Sequence, residues 1–350
     1  MLNRRKFIKN ISFLSGAMML SERTFAFLEK GKKLGVALVG LGNYATNQLA
    51  PALQQTSLCK LAGIVTGSPE KAEKWAKQYD IPKKNIYNYQ NFDEIRNNPD
   101  IDIVYIVLPN SMHAEYSIRA AQAGKHVICE KPMAMNVQEC KDIIKACRNA
   151  NVQLSIGYRL YFEPHHLEMK RLGNEKVYGG VKMIESSLGF SMANPKVWRL
   201  NKALGGGGAI MDLGVYCIQG ARRTLGELPT AVYEGMTFQM EFPSGAISNS
   251  TTTYSSYVDR LHATTGWQWF SLSPSYNAIG TAGQFFDGEI KKMDFKVPDF
   301  QQIAQMDNFA DCILNNRKSE AAGEEGLIDL RIIEAIKQSA DTGRKIKIVW

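Results

Sequence analysis

At 350 residues the chain is too long for one ordinary core, and two domains of roughly 100 to 200 residues each are expected. Its 45% apolar and 22% charged residues are the composition of a soluble globular protein. The formal net charge of +8 does not mark a nucleic-acid binder: Arg4, Arg5, Lys6, Lys9 and Arg23 stand against Glu22 in residues 1–26, so half the excess is terminal, and no basic stripe interleaved with aromatics follows.

That terminal segment reads as an address. Asn3-Arg4-Arg5-Lys6-Phe7-Ile8-Lys9 is a twin-arginine pattern, and the mostly apolar run Ile11 to Leu20 has the length of a signal-peptide core, too short to span a bilayer. Thr24-Phe25-Ala26 offers a small-residue site for cleavage after Ala26. The expectation is export of the folded protein to the periplasm, with no stable membrane insertion afterwards. A basic amphipathic helix lying on a surface is the other reading. Export in the folded state accords with the six scattered cysteines (Cys59, Cys129, Cys140, Cys147, Cys217, Cys312), which show no CxxC and no metal-ligand clustering and read as reduced core residues.

Val36 to Val39 is an apolar run without helical spacing, as in a strand buried on both faces of a parallel sheet. It ends in Gly40-Leu41-Gly42, with Ala45 where the third glycine of a dinucleotide fingerprint stands. Gly40 permits the tight turn, and Gly42 lets a pyrophosphate approach the backbone. A helix over about 43–54 then aims its free amides at the phosphates. Without a ligand the same pattern is only a tight strand-to-helix turn. Strand and helix keep alternating, with strands at about 61–66, 103–108, 126–129 and 152–156 and helices at 69–79, near 92–96 and at 111–123. Asn136 opens another helix as an N-cap, with Glu139 three residues on. The succession over residues 34–156 predicts a Rossmann-type, doubly wound parallel sheet.

An NAD-preferring site places an acid at the end of the second strand. Here the chain reads Thr66-Gly67-Ser68-Pro69-Glu70-Lys71, a hydroxyl with a lysine three positions on, which suits a 2′-phosphate better than a diol. NADP is expected over NAD, although Lys71 can also be read as a solvated helix residue.

Past residue 156 the stretches 180–188, 231–242 and 245–254 alternate as in a mostly antiparallel, open-faced sheet, with Ser248, Ser250, Thr251, Thr252 and Thr253 expected to be wet. Helices are predicted at 300–314 and 325–342 and a strand at 346–349. The fold class is therefore α/β, a doubly wound half followed by an α+β half. The expected division is a leader over 1–26, a dinucleotide-binding domain over 27–156, and a substrate-binding and oligomerisation domain over 157–350.

Two constellations carry chemistry. Glu130-Lys131-Pro132 follows a strand and puts a lysine at the carboxyl edge of the sheet, where ligands sit in such folds. In Gly205-Gly206-Gly207-Gly208-Ala209-Ile210-Met211-Asp212-Leu213-Gly214-Val215-Tyr216, four glycines let a ligand close to the backbone and a helix shows Asp212 and Tyr216 on one face. An ammonium, a carboxylate and a phenol around one hydroxyl can take its proton while hydride leaves the carbon. Tyr216 alone could equally be a tyrosine packed between domains.

These motifs, with Val104 to Ser111, Ala123 to Ala134 and Ile156 to Arg159, resemble the Gfo/Idh/MocA oxidoreductases from about residue 34 to the C-terminus. The resemblance implies Lys131, Asp212 and Tyr216 as the catalytic group. It also implies nucleotide contacts from Gly40, Gly42, Asn43 and Tyr44 in the turn, from Ser68 and Lys71, from Leu108, Pro109, Asn110 and His113 after the fourth strand, and from Glu130, Lys131 and Arg159. Tyrosine at 216, where many members carry histidine, points to the glucose–fructose oxidoreductase branch, whose members hold NADP tightly and are recycled by a second sugar. That branch carries a long proline-rich arm after its leader, whereas only Phe27 to Lys33 stand here. The implied partners are a small sugar and further copies of the chain, as a dimer or tetramer. A redox-assisted glycosidase or an inositol or sugar dehydrogenase of the same superfamily is the alternative enzyme. A nucleotide-sensing binding protein could dispense with the catalytic group, which is intact here. Substrate contacts are expected in loops at 194–201 and 254–275.

Overall fold

A computed structural model describes residues 33–192, 194, 196–233 and 237–350; the expected leader and its cleavage site lie outside the described residues. Six strands, β1 (Leu34–Val39), β2 (Cys59–Val65), β3 (Ile86–Tyr87), β4 (Ile103–Ile106), β5 (His126–Cys129) and β6 (Leu154–Ile156), form one parallel sheet in the order β3-β2-β1-β4-β5-β6. All side chains of β1 and β4 are buried, as their apolar runs require of strands covered on both faces. The order reverses beside β1, so the crevice for a ligand opens at the carboxyl ends of β1 and β4.

One face of this sheet lies under the helices His113–Gln122 and Val137–Asn149. The other is covered in part by a helix from far along the chain, Gln302–Leu314, whose Met306, Phe309 and Ala310 are buried with Leu38, Ile64 and Tyr105. Asp307 of that helix accepts the backbone N–H groups of Ser57 and Leu58, each at 2.8 Å.

The second sheet has nine strands: β7 (Met183–Gly189), β8 (Ala231–Tyr233), β9 (Thr237–Glu241), β10 (Ile247–Thr253), β11 (Val258–Thr264), β12 (Trp269–Leu272), β13 (Gly283–Phe286), β14 (Ile290–Met293) and β15 (Ile346–Lys347). Their order is β14-β13-β12-β11-β7-β10-β9-β8-β15, and only the β7–β10 pairing is parallel.

Three expectations need correction. The stretch 231–242 is two strands paired antiparallel, Ala231 opposite Glu241. The supposed loop at 254–275 holds β11 and β12, which pair Leu261 with Leu272. Ser248, Ser250 and Thr252 are buried on one face of β10, whose small hydroxyl side chains let the helix Val215–Leu225 pack close; on the other face Thr253 is buried and Thr251 half-buried. The helix Pro164–Asn174, capped by Glu163 accepting the N–H of His166 at 2.9 Å, was not expected at all. All six cysteines are free and buried. No helix of the described residues is long and apolar enough to cross a membrane.

Candidate active site

The glycine turn is built for a ligand from outside. Gly40 ends β1 at φ +95°, and a Cβ there would lie 2.5 Å from the carbonyl oxygen of Val107, so only glycine fits. Gly42 and Asn43 are exposed, and a Cβ on Gly42 would meet nothing within 4 Å: the freedom of that glycine serves no contact within the protein. A π-helical segment, Ala45–Leu49, leads into Ala50–Leu53 with Ala45 buried against the core. Ser68 caps Pro69–Tyr79 by accepting the N–H of Lys71 at 3.3 Å, while Lys71 Nζ donates to the Leu41 carbonyl at 3.1 Å. An ammonium thus lies beside the glycine turn, with no carboxylate between the end of β2 and Pro69. These residues fit a dinucleotide carrying an extra phosphate.

Lys131 and Asp212 come from motifs eighty residues apart and meet directly. Lys131 Nζ donates to the carbonyl of Asp212 at 2.8 Å and to its Oδ1 at 3.0 Å. Burial works against the ammonium, but the Asp212 carboxylate outweighs it and the lysine is held above its ordinary pKa. Burial likewise opposes the carboxylate, yet Lys131 and Arg199 keep Asp212 below the usual value, so the pair stays ionised. A π-helical segment, Ile210–Gly214, opens the helix that carries Asp212, and Tyr216 follows in Val215–Leu225. Lys131 Nζ lies 4.5 Å from the centroid of the Tyr216 ring, and the guanidinium carbon of Arg159 lies 5.3 Å from it. Two cations therefore flank one phenol.

The other expected nucleotide contacts divide. Glu130 sits under this group, accepting the Tyr105 hydroxyl at 2.7 Å and the Lys131 N–H at 3.3 Å, and burial raises its pKa despite those partners. Tyr44, half-buried, accepts from Gln302 Nε2 at 3.0 Å; burial and the nearby Glu130 and Tyr216 push its hydroxyl well up. Arg159 is buried and bound to the carbonyls of Tyr276 and Asn277 and to Gln301, so its hydrogen bonds run to the second half of the chain. Asn110 donates to the Gly205 carbonyl at 2.9 Å and ties the loop after β4 to the glycine run. His113 is buried with its nitrogens 2.8 Å from the Pro132 carbonyl and 2.9 Å from that of Leu108. Burial lowers its pKa, and the ring pins the two loops on either side of Pro109 and Lys131.

Arg199 and Tyr254 fall in the stretches 194–201 and 254–275 where substrate contacts are expected, but neither is singled out by the sequence; both reach Asp212 Oδ2, at 3.0 and 2.9 Å. Sequence reasoning missed Gln301, Gln302 and Gln305, all buried at the start of a helix whose sequence distance hid its position. The Gln301-Gln302 pair opening an amphipathic helix was the available signal.

Fold and site together define a dinucleotide-binding oxidoreductase. The chain belongs to the Gfo/Idh/MocA family: residues 34–158 match the oxidoreductase family, NAD-binding Rossmann fold, residues 166–286 the GFO/IDH/MocA C-terminal domain, and residues 291–348 the oxidoreductase family, C-terminal alpha/beta domain. The crystal structure of aldose-aldose oxidoreductase from Caulobacter crescentus, complexed with glycerol, is 40% identical with a TM-score of 0.88, covering 91% of this chain and 100% of that one. D-xylose 1-dehydrogenase (NADP(+)) of Haloarcula marismortui is 27% identical over 336 residues, 89% of this chain and 92% of the relative. Levoglucosan dehydrogenase, solved with NADH and levoglucosan, shares the fold at 20% identity with a TM-score of 0.78, over 91% of this chain and 100% of that one.

Proposed function

We propose that the protein is an NADP-dependent sugar oxidoreductase acting at the C1 hydroxyl of a pyranose, in the manner of glucose–fructose oxidoreductase, with a second sugar taking the hydride from the reduced nucleotide. The observation that carries this reading is the ionised Lys131–Asp212 pair with Tyr216 under the same ammonium, at the carboxyl edge of the first sheet. Gly40, Gly42, Asn43, Tyr44, Ser68 and Lys71 would hold the nucleotide, which supplies a hydride acceptor. Oxidation of the carbinol also releases a proton from oxygen, and that falls to side chains. Tyr216 takes it as the phenolate and becomes the phenol, the cations of Lys131 and Arg159 meeting the negative charge on its oxygen before the transfer. Asp212 fixes the ammonium and the sugar's orientation. The likeness to an aldose-aldose oxidoreductase and to an NADP(+)-linked xylose dehydrogenase supports both the substrate class and the cofactor. With this reading go a nucleotide half over 27–156, a substrate and oligomerisation half over 157–350, and a periplasmic, oligomeric enzyme delivered by its twin-arginine leader.

The test joins mass spectrometry of the nucleotide released from purified protein to a panel of aldoses read by the absorbance of reduced nicotinamide. Tyr216→Phe keeps the ring under Lys131 and should fold and bind nucleotide while turnover falls by about 10² to 10⁴. Near-parental turnover in that variant would move the proton to another group, and release of an aglycone without net reduction would favour a redox glycosidase.

A further inference from the structure

Asp212 Oδ2 is held by two groups of different kind. Tyr254 donates an aligned hydrogen bond at 2.9 Å, and burial with the carboxylate beside it keeps that phenol protonated. Arg199 Nε stands 3.0 Å from the same oxygen but off the hydrogen-bond direction, so the guanidinium is held there by charge alone. Its terminal nitrogens meet no partner among the described residues, and its carbon lies 4.7 Å from the ring centroid of Trp198. Arg199 is also the outermost member of the group: its side chain is 38% exposed, against 13% for Asp212 and 11% for Lys131.

A second cation is not needed to keep Asp212 in place, since Lys131 and Tyr254 each bond it, and a half-exposed ion pair contributes little. What Arg199 adds is a planar fork of N–H donors on the more exposed side of this group, beside a carboxylate it shares with Lys131. Such a fork recognises two oxygens at once. Resting on the sugar oxidoreductase reading above, we propose that Arg199 is a substrate-binding residue whose terminal N–H groups take two neighbouring oxygens of the sugar. Asp212 holds the guanidinium and Trp198 backs its face. The selected class is then aldoses with adjacent free hydroxyls.

Arg199→Ala and Arg199→Lys test this by kinetics and by Trp198 emission during sugar titration, with Trp198→Phe identifying the signal. In Arg199→Ala, KM for the best aldose should rise by roughly tenfold or more, as for lost hydrogen bonds to a charged group, with kcat within a factor of about three and nucleotide affinity unchanged. Lysine, lacking the fork, should not restore KM. A fall in kcat at constant KM, full rescue by lysine, or unchanged KM would overturn the proposal, leaving Arg199 as a positioning residue for Asp212 at most. The emission readout needs no turnover. Arg199-dependent binding of a sugar that is never oxidised would therefore sink the oxidoreductase reading while upholding this one, whereas Arg199-independent oxidation would do the reverse.

Discussion

Burial acts on the ionisable side chains around the site with opposite results, and partners decide which. Lys131 and Asp212 keep their charges because each faces the other at 3.0 Å. His166 has only the Ser275 carbonyl at 2.8 Å for its Nε2, and burial lowers its pKa from 6.5 to about 4. The unfolded chain then binds this proton more readily across that interval. The contribution of His166 is fully present above pH 6.5 and is lost as pH falls through about 4, amounting to about 3 kcal/mol at most. His166→Gln should therefore flatten the pH dependence of the urea midpoint between neutrality and about pH 5. A variant that loses stability on acidification as steeply as the parent would remove the imidazole from the account. At the other end of the crevice, Ser68→Asp places a carboxylate where Lys71 reaches the glycine turn, and should turn an NADP preference towards NAD, measured as the ratio of kcat/KM values. A parent that already prefers NAD would refute the phosphate reading of Ser68 and Lys71.

Among the elements, those with local signals were legible. The helix Pro69–Tyr79 and the strand His126–Cys129 carry apolar spacing, a cap or a breaker at each end, and they form with the predicted bounds. Asn136 caps its helix as expected, accepting the Glu139 N–H at 2.9 Å; Glu139 returns a bond to the N–H of Met135, one residue before the cap. Asn136→Ala should cost about 1 kcal/mol, read from the denaturation midpoint, and a neutral result would show that Glu139 sustains the turn alone. The π-helical segments at Ala45–Leu49 and Ile210–Gly214 were not legible, since widening a turn by one residue needs no change of residue type. Both lie where a helix meets the site, as such segments often do. Strands β11 to β14 escaped for another reason: Arg260, Gln284, Lys291 and Lys292 put charge and amides on a half-exposed face, and their pairing is decided by neighbours distant in sequence. Of the site, Lys131, Asp212 and Tyr216 could be read because glycines and a proline mark their turns. Arg199 and Tyr254 could not, because only the tertiary fold brings the segments after β7 and β10 to one carboxylate.

The whole molecule is addressed, on the sequence reading, by its first 26 residues. Arg4→Lys with Arg5→Lys should leave the folded protein inside the cell, measured by fractionation against a cytoplasmic marker, while equal periplasmic yield would contradict a twin-arginine route. If the leader directs export of the folded chain, as proposed, folding before export involves the helix Gln302–Leu314, which covers part of one face of the first sheet. Leu38 and Met306, which share one core, are 268 positions apart in the sequence. A ribosome working at about 5 to 20 residues per second needs more than ten seconds to make that interval. For all of it the nascent sheet lacks part of its cover and shows an apolar face to whatever chaperone is near. The nucleotide crevice is then completed only after synthesis is nearly over, so a truncated transcript that still encodes the entire glycine turn should yield an aggregating product rather than a small, independent nucleotide binder.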